Sequence, residues 1–201
     1  MNARLAVLAS GEGTNLQALL DDPVIRPWVA LVVSDRRGAR ALERARAAGA
    51  NAVWLDPDAH AGRTAFDLAL RDLLASEQVD VVALAGFMRI LGPEVVRAFA
   101  GRILNVHPAL LPAFPGTDSV QRALDWGVRV TGVTVHLVDE EVDHGPIVFQ
   151  EAISVLPDDD WDALEARIHR AEHRLLPAAV KALVEGRLKV EGRVVHVLES
   201  V

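Results

Sequence analysis

Short apolar runs alternate with amphipathic segments through the first half of the chain. The runs predict strands over 4–9, 29–34, 52–55 and 79–85. Between them, apolar side chains recur at helical spacing and predict helices that begin at Leu16 and cover 40–49 and 63–76. Strands that are apolar on both faces and alternate with helices are typical of a parallel sheet covered on two sides.

The second half changes this pattern. A short helix over 93–99 leads to a strand over 103–107, and a helix over 119–126 precedes a long strand over 130–138 that we expect to be antiparallel. A strand over 147–150, helices over 162–176 and 177–185 and a hairpin over 190–197 complete the chain. The pattern predicts an α/β, Rossmann-like fold: a mostly parallel twisted sheet, helices on both faces and an antiparallel strand in the C-terminal half. We find no repeat or linker and therefore predict a single domain over 1–201.

Composition narrows the classes of function. The chain of 201 residues is 51% hydrophobic and carries a net charge of −7, which argues against nucleic acid as a partner because phosphates need clustered cations. It has no cysteine, which excludes disulfides, thiolate metal sites and a cysteine nucleophile. No apolar run approaches the length of a membrane span. We expect a cytoplasmic protein that acts on small molecules without contacting a membrane.

A glycine-rich turn, Ser10-Gly11-Glu12-Gly13-Thr14-Asn15, joins the first strand to the first helix. Free amides and the helix dipole make such a turn suited to an anion. A dinucleotide site would want a third glycine where Leu16 stands, although Asp35 lies 22 residues after Gly13, where a ribose-binding carboxylate is common. The pattern favours one phosphate over a dinucleotide; glycines that serve only the turn are the third interpretation.

Asn105 and His107 lie two residues apart in the predicted strand over 103–107, so their side chains point to one face. An amide donor beside an imidazole suits a carbonyl oxygen that gains negative charge. Asp143 follows in an acidic loop, where it could orient the His107 ring and assist proton transfer. The alternatives are a capping asparagine with a half-buried histidine, and an ordinary acidic loop residue.

Two other histidine patterns have simpler explanations. The segment His169-Arg170-Ala171-Glu172-His173 matches an inverted zinc-protease motif, but the motif provides no third ligand, and we expect no metal. His136 lies within the long strand over 130–138, and we expect a hydrogen-bonded core histidine there.

Taken together, these segments resemble the folate-dependent formyltransferase superfamily and, within it, the phosphoribosylglycinamide formyltransferases. The resemblance covers nearly the whole length. It is carried by Ser-Gly-Glu-Gly-Thr-Asn-Leu-Gln at 10–17, Gly-Phe-Met-Arg-Ile-Leu at 86–91, Asn-Val-His-Pro-Ala-Leu-Leu-Pro at 105–112, Val-His at 135–136 and Asp-His-Gly-Pro-Ile at 143–147.

The resemblance implies transfer of the formyl group of 10-formyltetrahydrofolate to the amine of 5-phosphoribosylglycinamide in purine biosynthesis. It implies that Asn105 and a protonated His107 stabilise the oxyanion, while Asp143 pairs with His107 and positions a water that relays the proton. Residues 1–100 would bind the nucleotide phosphate, and residues 101–201 would hold the catalytic residues and the folate.

The binding residues also follow from the resemblance. Gly13, Thr14 and Asn15 would bind the phosphate of the nucleotide, and Glu172 would bind its glycinamide side. The folate, a cosubstrate, would meet residues of three segments: Arg63, Met88, Arg89, Ile90, Leu91, Asp139, Glu140, Glu141 and Val142. The implied protein is a monomer or a homodimer.

The chain departs from the family pattern at two places. Thr117, Asp118 and Val120 stand in a loop that often carries histidines, and Asp35 stands where asparagine is common. Three rival functions remain: formyltetrahydrofolate hydrolysis, another formyl transfer such as that to methionyl-tRNA, and a non-catalytic NAD(P)- or nucleotide-binding module.

Overall fold

The computed structural model describes residues 3–199, so the ends of the predicted domain, 1–2 and 200–201, lie outside the described residues. The described strands form one sheet in the order β3-β2-β1-β4-β5-β6-β7-β9-β8. Their bounds are β1 Leu5–Leu8, β2 Val29–Ser34, β3 Asn51–Trp54, β4 Val81–Leu84, β5 Ile103–His107, β6 Val130–Leu137, β7 Ile147–Ser154, β8 Leu188–Glu191 and β9 Val194–Val197.

Helices cover both faces of the sheet. They are α1 Thr14–Asp21, α2 Arg40–Ala47, α3 Arg63–Ser76, α4 Pro93–Ala98, α5 Ser119–Trp126 and α6 Trp161–Val184. Successive residues of a strand point to opposite faces, so Leu5 and Val7 join the core under α1, α2, α5 and α6, while Ala6 and Leu8 join the core under α3 and α4. Among the described helices, none is both long and apolar enough to cross a membrane.

The sheet direction changes beside β5. The pairs β3–β2, β2–β1, β1–β4 and β4–β5 are parallel, whereas β5–β6, β6–β7 and β8–β9 are antiparallel. The predicted fold class is therefore confirmed, with more antiparallel pairing than the single strand expected. The antiparallel neighbour matters because it brings residues of β6 alongside the carboxyl end of β5.

Two boundary predictions were wrong. Strand β7 continues past Gln150 to Ser154, because it is an antiparallel strand with one solvent-facing side and tolerates polar residues such as Glu151. Helix α6 is continuous, although the sequence predicted a break at Pro177. A proline inside a helix costs about 3 kcal/mol. Here the apolar stripe is buried on both sides of it, from Ile168 to Val180, which offsets that cost.

Gly132 provides a test of the packing between β6 and β7. A Cβ atom at this position would contact the Glu151 carbonyl oxygen and lie 2.6 Å from Leu110 Cδ2. Because backbone cannot easily move aside, we expect Gly132→Ala to lower the free energy of unfolding by about 1–3 kcal/mol in urea denaturation. Gly38→Ala is the matched control, since a Cβ there would meet nothing within 4 Å. Equal stability of the two variants would contradict this packing.

Candidate active site

Three polar side chains that are far apart in sequence meet at the carboxyl end of β5. Asp143 Oδ1 accepts a hydrogen bond of 3.2 Å from Asn105 Nδ2, and its Oδ2 lies 3.4 Å from His107 Nδ1. Asn105 and His107 therefore share the face that their spacing predicts. Strand β6 ends beside Leu104, near the amino end of β5, and the loop that follows it folds back to place Asp143 against Asn105 and His107.

The Asp143 carboxylate is held by a strained backbone and a further donor. Asp143 adopts a left-handed conformation with φ of 52°, which is costly for a residue with a side chain. The Gly116 amide donates to its Oδ2 at 2.7 Å. Burial acts to raise the pKa of Asp143, but His136, the Gly116 amide and His107 together lower it below the ordinary value. Asp143 is thus a partly buried carboxylate at neutral pH.

His136 is the residue of this site that the sequence analysis missed. It is a buried, hydrogen-bonded core histidine, as expected: its side chain is 2% exposed, and its Nδ1 lies 2.8 Å from the Leu137 carbonyl oxygen. A carbonyl only accepts, so Nδ1 carries a hydrogen, and in the neutral tautomer that this selects Nε2 is an acceptor. Asn105 Nδ2 lies 3.1 Å from that Nε2. Antiparallel pairing of β5 with β6 places Asn105 opposite His136, a register that the sequence alone does not give.

Both amide hydrogens of Asn105 are consequently engaged. One points to the Asp143 carboxylate and the other to His136, and each partner is an acceptor. This fixes which end of the Asn105 amide faces the carboxylate.

His107 lies between two acceptors. Its Nε2 is 2.8 Å from the Phe114 carbonyl oxygen, so Nε2 carries a hydrogen, while Nδ1 faces Asp143. Burial lowers the pKa of His107, and this outweighs the raising effects of the Asp143 carboxylate and the Phe114 carbonyl. Without a substrate, burial therefore favours the neutral ring at pH 7, because it costs the cation more than one neighbouring carboxylate returns. A protonated His107 that stabilises an oxyanion stays a prediction for the substrate-bound site.

The glycine turn leads directly into α1. Gly13 has φ of 70°, and a Cβ there would lie 2.8 Å from the Ala41 Cβ, so the turn and its contact with α2 both require glycine. Thr14 and Asn15 form the first positions of α1. Their amides lie where a helix N-terminus favours an anion.

Asn15 and Glu172, 157 residues apart in the chain, are in contact. Asn15 Nδ2 donates to Glu172 Oε2 at 2.8 Å, and both residues are buried. Asn15 Oδ1 has no hydrogen-bond partner among residues 3–199. Burial raises the pKa of Glu172, although Asn15 and His169 act to lower it. Asn15 Oδ1 is thus a buried acceptor without a partner beside a buried carboxyl group, which suits a ligand that donates hydrogen bonds.

The zinc-like segment on α6 has a different geometry from a metal site. Glu172 turns towards Asn15, and the rings of His169 and His173 stack with their centroids 5.9 Å apart. Within the described part of the chain, no group of three or more histidine or acidic side chains could hold a metal ion.

The segment from 86 to 91 continues from β4 beside Asn105. Met88 and Ile90 are 59% and 55% exposed, whereas Leu91 is buried. Arg63 Nη2 donates to the carbonyl oxygens of Ile90 and Leu91 at 3.2 and 3.3 Å, and Arg89 lies over the Phe66 ring. The segment therefore exposes apolar side chains and is held by α3.

In the acidic loop after β6, the first two carboxylates are paired with basic side chains. Asp139 Oδ2 lies 2.8 Å from His144 Nδ1, and Glu140 accepts hydrogen bonds of 2.8 and 3.0 Å from Arg97. Glu141 and Val142 remain exposed. What this loop offers a ligand is its backbone and the apolar Val142 side chain.

The departures from the family pattern have clear positions. Thr117 and Asp118 are exposed, and Val120 is buried in the core. The neighbouring Gly116 contributes to the site through its backbone amide alone. Asp35, at the end of β2, accepts a hydrogen bond of 2.6 Å from the Ser10 hydroxyl.

Known proteins share this fold and much of this sequence. A phosphoribosylglycinamide formyltransferase of Mycobacterium tuberculosis is 48% identical over 192 residues, which cover 95% of this chain and 89% of that protein. The crystal structure of glycinamide ribonucleotide transformylase 1 from Symbiobacterium toebii has a TM-score of 0.95 at 50% identity, covering 98% of this chain and 94% of that one.

A longer relative contains a similar region. The trifunctional purine biosynthetic protein adenosine-3 of Drosophila melanogaster is 45% identical over 188 residues. That alignment covers 91% of this chain but 14% of the fly protein, so the chain spans a small part of that relative.

The family assignment rests on a family match that covers most of the chain, together with the similar sequences and structures. Residues 3–180, which include the glycine turn, both strands of the polar cluster and Glu172, match the formyl transferase family. The chain belongs to the formyl transferase family.

Proposed function

We propose that this protein transfers the formyl group of 10-formyltetrahydrofolate to the amine of 5-phosphoribosylglycinamide in purine biosynthesis. The observation that carries this proposal is the meeting of Asn105, His107 and Asp143 at one end of β5. Family membership and the names of the similar proteins support the same reaction. Both substrates are small molecules, and the proposal needs no metal.

The nucleotide is assigned to the glycine turn and α6. Gly13, Thr14 and Asn15 offer backbone amides and a helix N-terminus to the 5′-phosphate. Glu172 and the free Asn15 Oδ1 offer acceptors to the hydrogen-bond donors of the glycinamide side. A buried acceptor such as Asn15 Oδ1 is costly without a donor, so the site favours a ligand that provides one.

The folate is assigned to the exposed segment 86–91 and the loop 138–143. Met88 and Ile90 give apolar surface to the pterin, and the backbone of Arg89 and Leu91 offers hydrogen bonds. In the loop, Glu141 and Val142 remain accessible, while Asp139 and Glu140 are engaged with His144 and Arg97 and shape the loop. Arg63, exposed at the start of α3, suits the anionic glutamate tail.

In the proposed reaction the substrate amine attacks the formyl carbon, and the carbonyl oxygen becomes an oxyanion. Asn105 redirects one of its amide hydrogens to that oxygen, and His107 Nε2 exchanges the Phe114 carbonyl for it. The new negative charge raises the pKa of His107, so Nδ1 takes up a proton from solvent, which then faces Asp143 and is returned to solvent when the intermediate collapses. The ring is thus neutral before attack and cationic only while the oxyanion exists.

Proton transfer completes the exchange. The attacking nitrogen must lose one proton and the departing folate nitrogen must gain one when the carbon–nitrogen bond to the folate breaks. The Asp143 carboxylate, ionised at neutral pH, holds a water that carries the proton between these two nitrogens.

A direct assay tests the proposal. Purified protein is mixed with formyltetrahydrofolate and phosphoribosylglycinamide, and the deformylated folate and formylated nucleotide are both followed. We expect the two products in equal amounts. Formate release without the nucleotide would favour the hydrolase instead, and tight NADPH binding with no nucleotide binding would favour a dinucleotide module.

Replacing Asn105 tests the oxyanion assignment. Asn105→Ala removes one donor to the developing charge, so we expect a loss of about 2.7–4 kcal/mol of transition-state stabilisation, seen as a lower kcat in the same assay. A turnover equal to that of the unchanged protein would rule out this role.

Replacing Asp143 separates catalysis from binding. Asp143→Asn keeps the size of the side chain but removes its charge, and we expect kcat to fall about 10²–10⁴-fold, the usual contribution of a positioned acid or base. Nucleotide affinity, measured by calorimetry, should change little because Gly13 and Glu172 bind elsewhere. Asp125→Asn, on the exposed face of α5, is the matched control. Equal losses of turnover and affinity would contradict the assignment.

The neutral form of His107 predicts how stability changes with pH. The pKa of His107 lies below its ordinary value of 6.5, so the folded protein binds this proton less readily than the unfolded chain. The stabilisation is present above pH 6.5 and is lost as the pH falls through the folded pKa. We expect His107→Gln to flatten the acid-side decline in unfolding free energy, by at most about 1.4 kcal/mol per pH unit.

Urea denaturation from pH 7 to 5 measures this difference. Burial also lowers the pKa of His173, but His173 is present in both proteins, so its contribution cancels. Parallel curves for the two proteins would show that His107 is not held neutral.

A further inference from the structure

Ser10 touches both of the segments to which the two substrates are assigned. It is the first residue of the glycine turn and is 2% exposed. Its amide donates to the Gly86 carbonyl oxygen at 2.9 Å, and its hydroxyl oxygen accepts from the Met88 amide at 2.8 Å. The glycine turn, to which the nucleotide is assigned, is therefore joined through one buried residue to the segment 86–91, called here the folate segment.

Asp35 determines how the Ser10 hydroxyl is used. The hydroxyl has one hydrogen, and Asp35 Oδ1 accepts it at 2.6 Å, a distance typical of a charge-assisted bond. With that hydrogen directed at a carboxylate, the oxygen presents its lone pairs to the Met88 amide. The chain Asp35–Ser10–Met88 thus has a single consistent direction, from amide to hydroxyl to carboxylate.

At this end the folate segment, residues 86–91, is also attached by Phe87, which packs against the core under α3 and α4. The Met88 and Ile90 side chains are mostly exposed and anchor little by burial. The far end is held from α3, where Arg63 bonds the Ile90 and Leu91 carbonyl oxygens. Ser10 accordingly provides the hydrogen bonds that join the near end of the segment to the glycine turn.

We propose that Ser10 and Asp35 are positioning residues that hold the folate segment at a fixed distance from the nucleotide turn. This inference rests on the proposed function and deepens it. Transfer between two bound substrates requires the reacting atoms to meet at about 3–3.5 Å, and a misplacement of about 1 Å can cost 10²-fold in rate. A link between the two binding segments is what keeps that distance.

The test removes the link from each side. Ser10→Ala deletes the hydroxyl, and Asp35→Ala deletes its acceptor. Asp35→Asn keeps an oxygen acceptor at the same place and serves as the rescue variant. Ser34→Ala is the matched control, because Ser34 is also buried at the end of β2, and its hydroxyl accepts from the Arg36 amide, not from the folate segment.

Equilibrium binding of formyltetrahydrofolate and of phosphoribosylglycinamide is measured by calorimetry for each variant, with kcat and both KM values from the assay and a thermal melt to establish folding. We expect Ser10→Ala and Asp35→Ala to weaken folate binding about three- to tenfold, the effect of one lost hydrogen bond, with a smaller change for the nucleotide. Asp35→Asn and Ser34→Ala should bind folate as the unchanged protein does.

Three results would overturn this inference: unchanged folate affinity in Ser10→Ala, an equal loss for both substrates, or a loss in Ser34→Ala as large as that in Ser10→Ala. The proposed function fails separately. If the unchanged protein binds the folate but transfers no formyl group, the reaction is wrong, while the binding series still decides the role of Ser10. If it binds no folate, both proposals fall together.

Discussion

The site depends on the hydrogen bonds that stabilise one partly buried carboxylate, that of Asp143. Asp143 receives the Gly116 amide on one oxygen and the Asn105 amide on the other, with His107 and His136 close by. Burying this carboxylate without hydrogen-bond donors would destabilise the folded protein. The strained backbone of Asp143 and the donors around it therefore depend on each other, because the backbone aims the carboxylate at those donors. The same donors keep the carboxylate ionised, which the proposed proton relay requires.

The change of strand direction beside β5 makes this arrangement possible. In an all-parallel sheet, the residues beside the carboxyl end of β5 would come from the end of another strand. Because β6 is antiparallel, His136 lies opposite Asn105 within the sheet. The loop after β6 begins near the amino end of β5, beside Leu104, and folds back to bring Asp143 to Asn105 and His107. The rigid sheet therefore positions Asn105, His107 and His136, and only Asp143 depends on a loop. Electrostatic stabilisation benefits from groups that are oriented before the reaction begins.

Sequence patterns predicted the parallel half of the fold well, because each buried strand there is a continuous apolar run. They predicted the spacing of Asn105 and His107 for a similar reason, since a strand has a fixed side-chain period. They failed where tertiary context decides the outcome. Pro177 remains inside α6 because of the core around it, and the contact of His136 with Asn105 follows from strand register. The lowered pKa of His107 in the structure without substrate follows from its degree of burial, which its neighbours in sequence do not reveal.

The neutral His107 ring and the hydrogen-bonded Asn105 amide bear on how the site distinguishes the transition state from the substrate. In this structure the donors of both residues already face protein acceptors, namely Asp143, His136 and the Phe114 carbonyl. An oxyanion carries more charge than a carbonyl oxygen, so it competes better for these donors than a ground-state formyl group does. The site would then discriminate against the substrate and in favour of the tetrahedral state, which is the difference that accelerates a reaction. Donors with existing partners thus contribute to selectivity between the two states, at the cost of breaking those partners' bonds once per turnover.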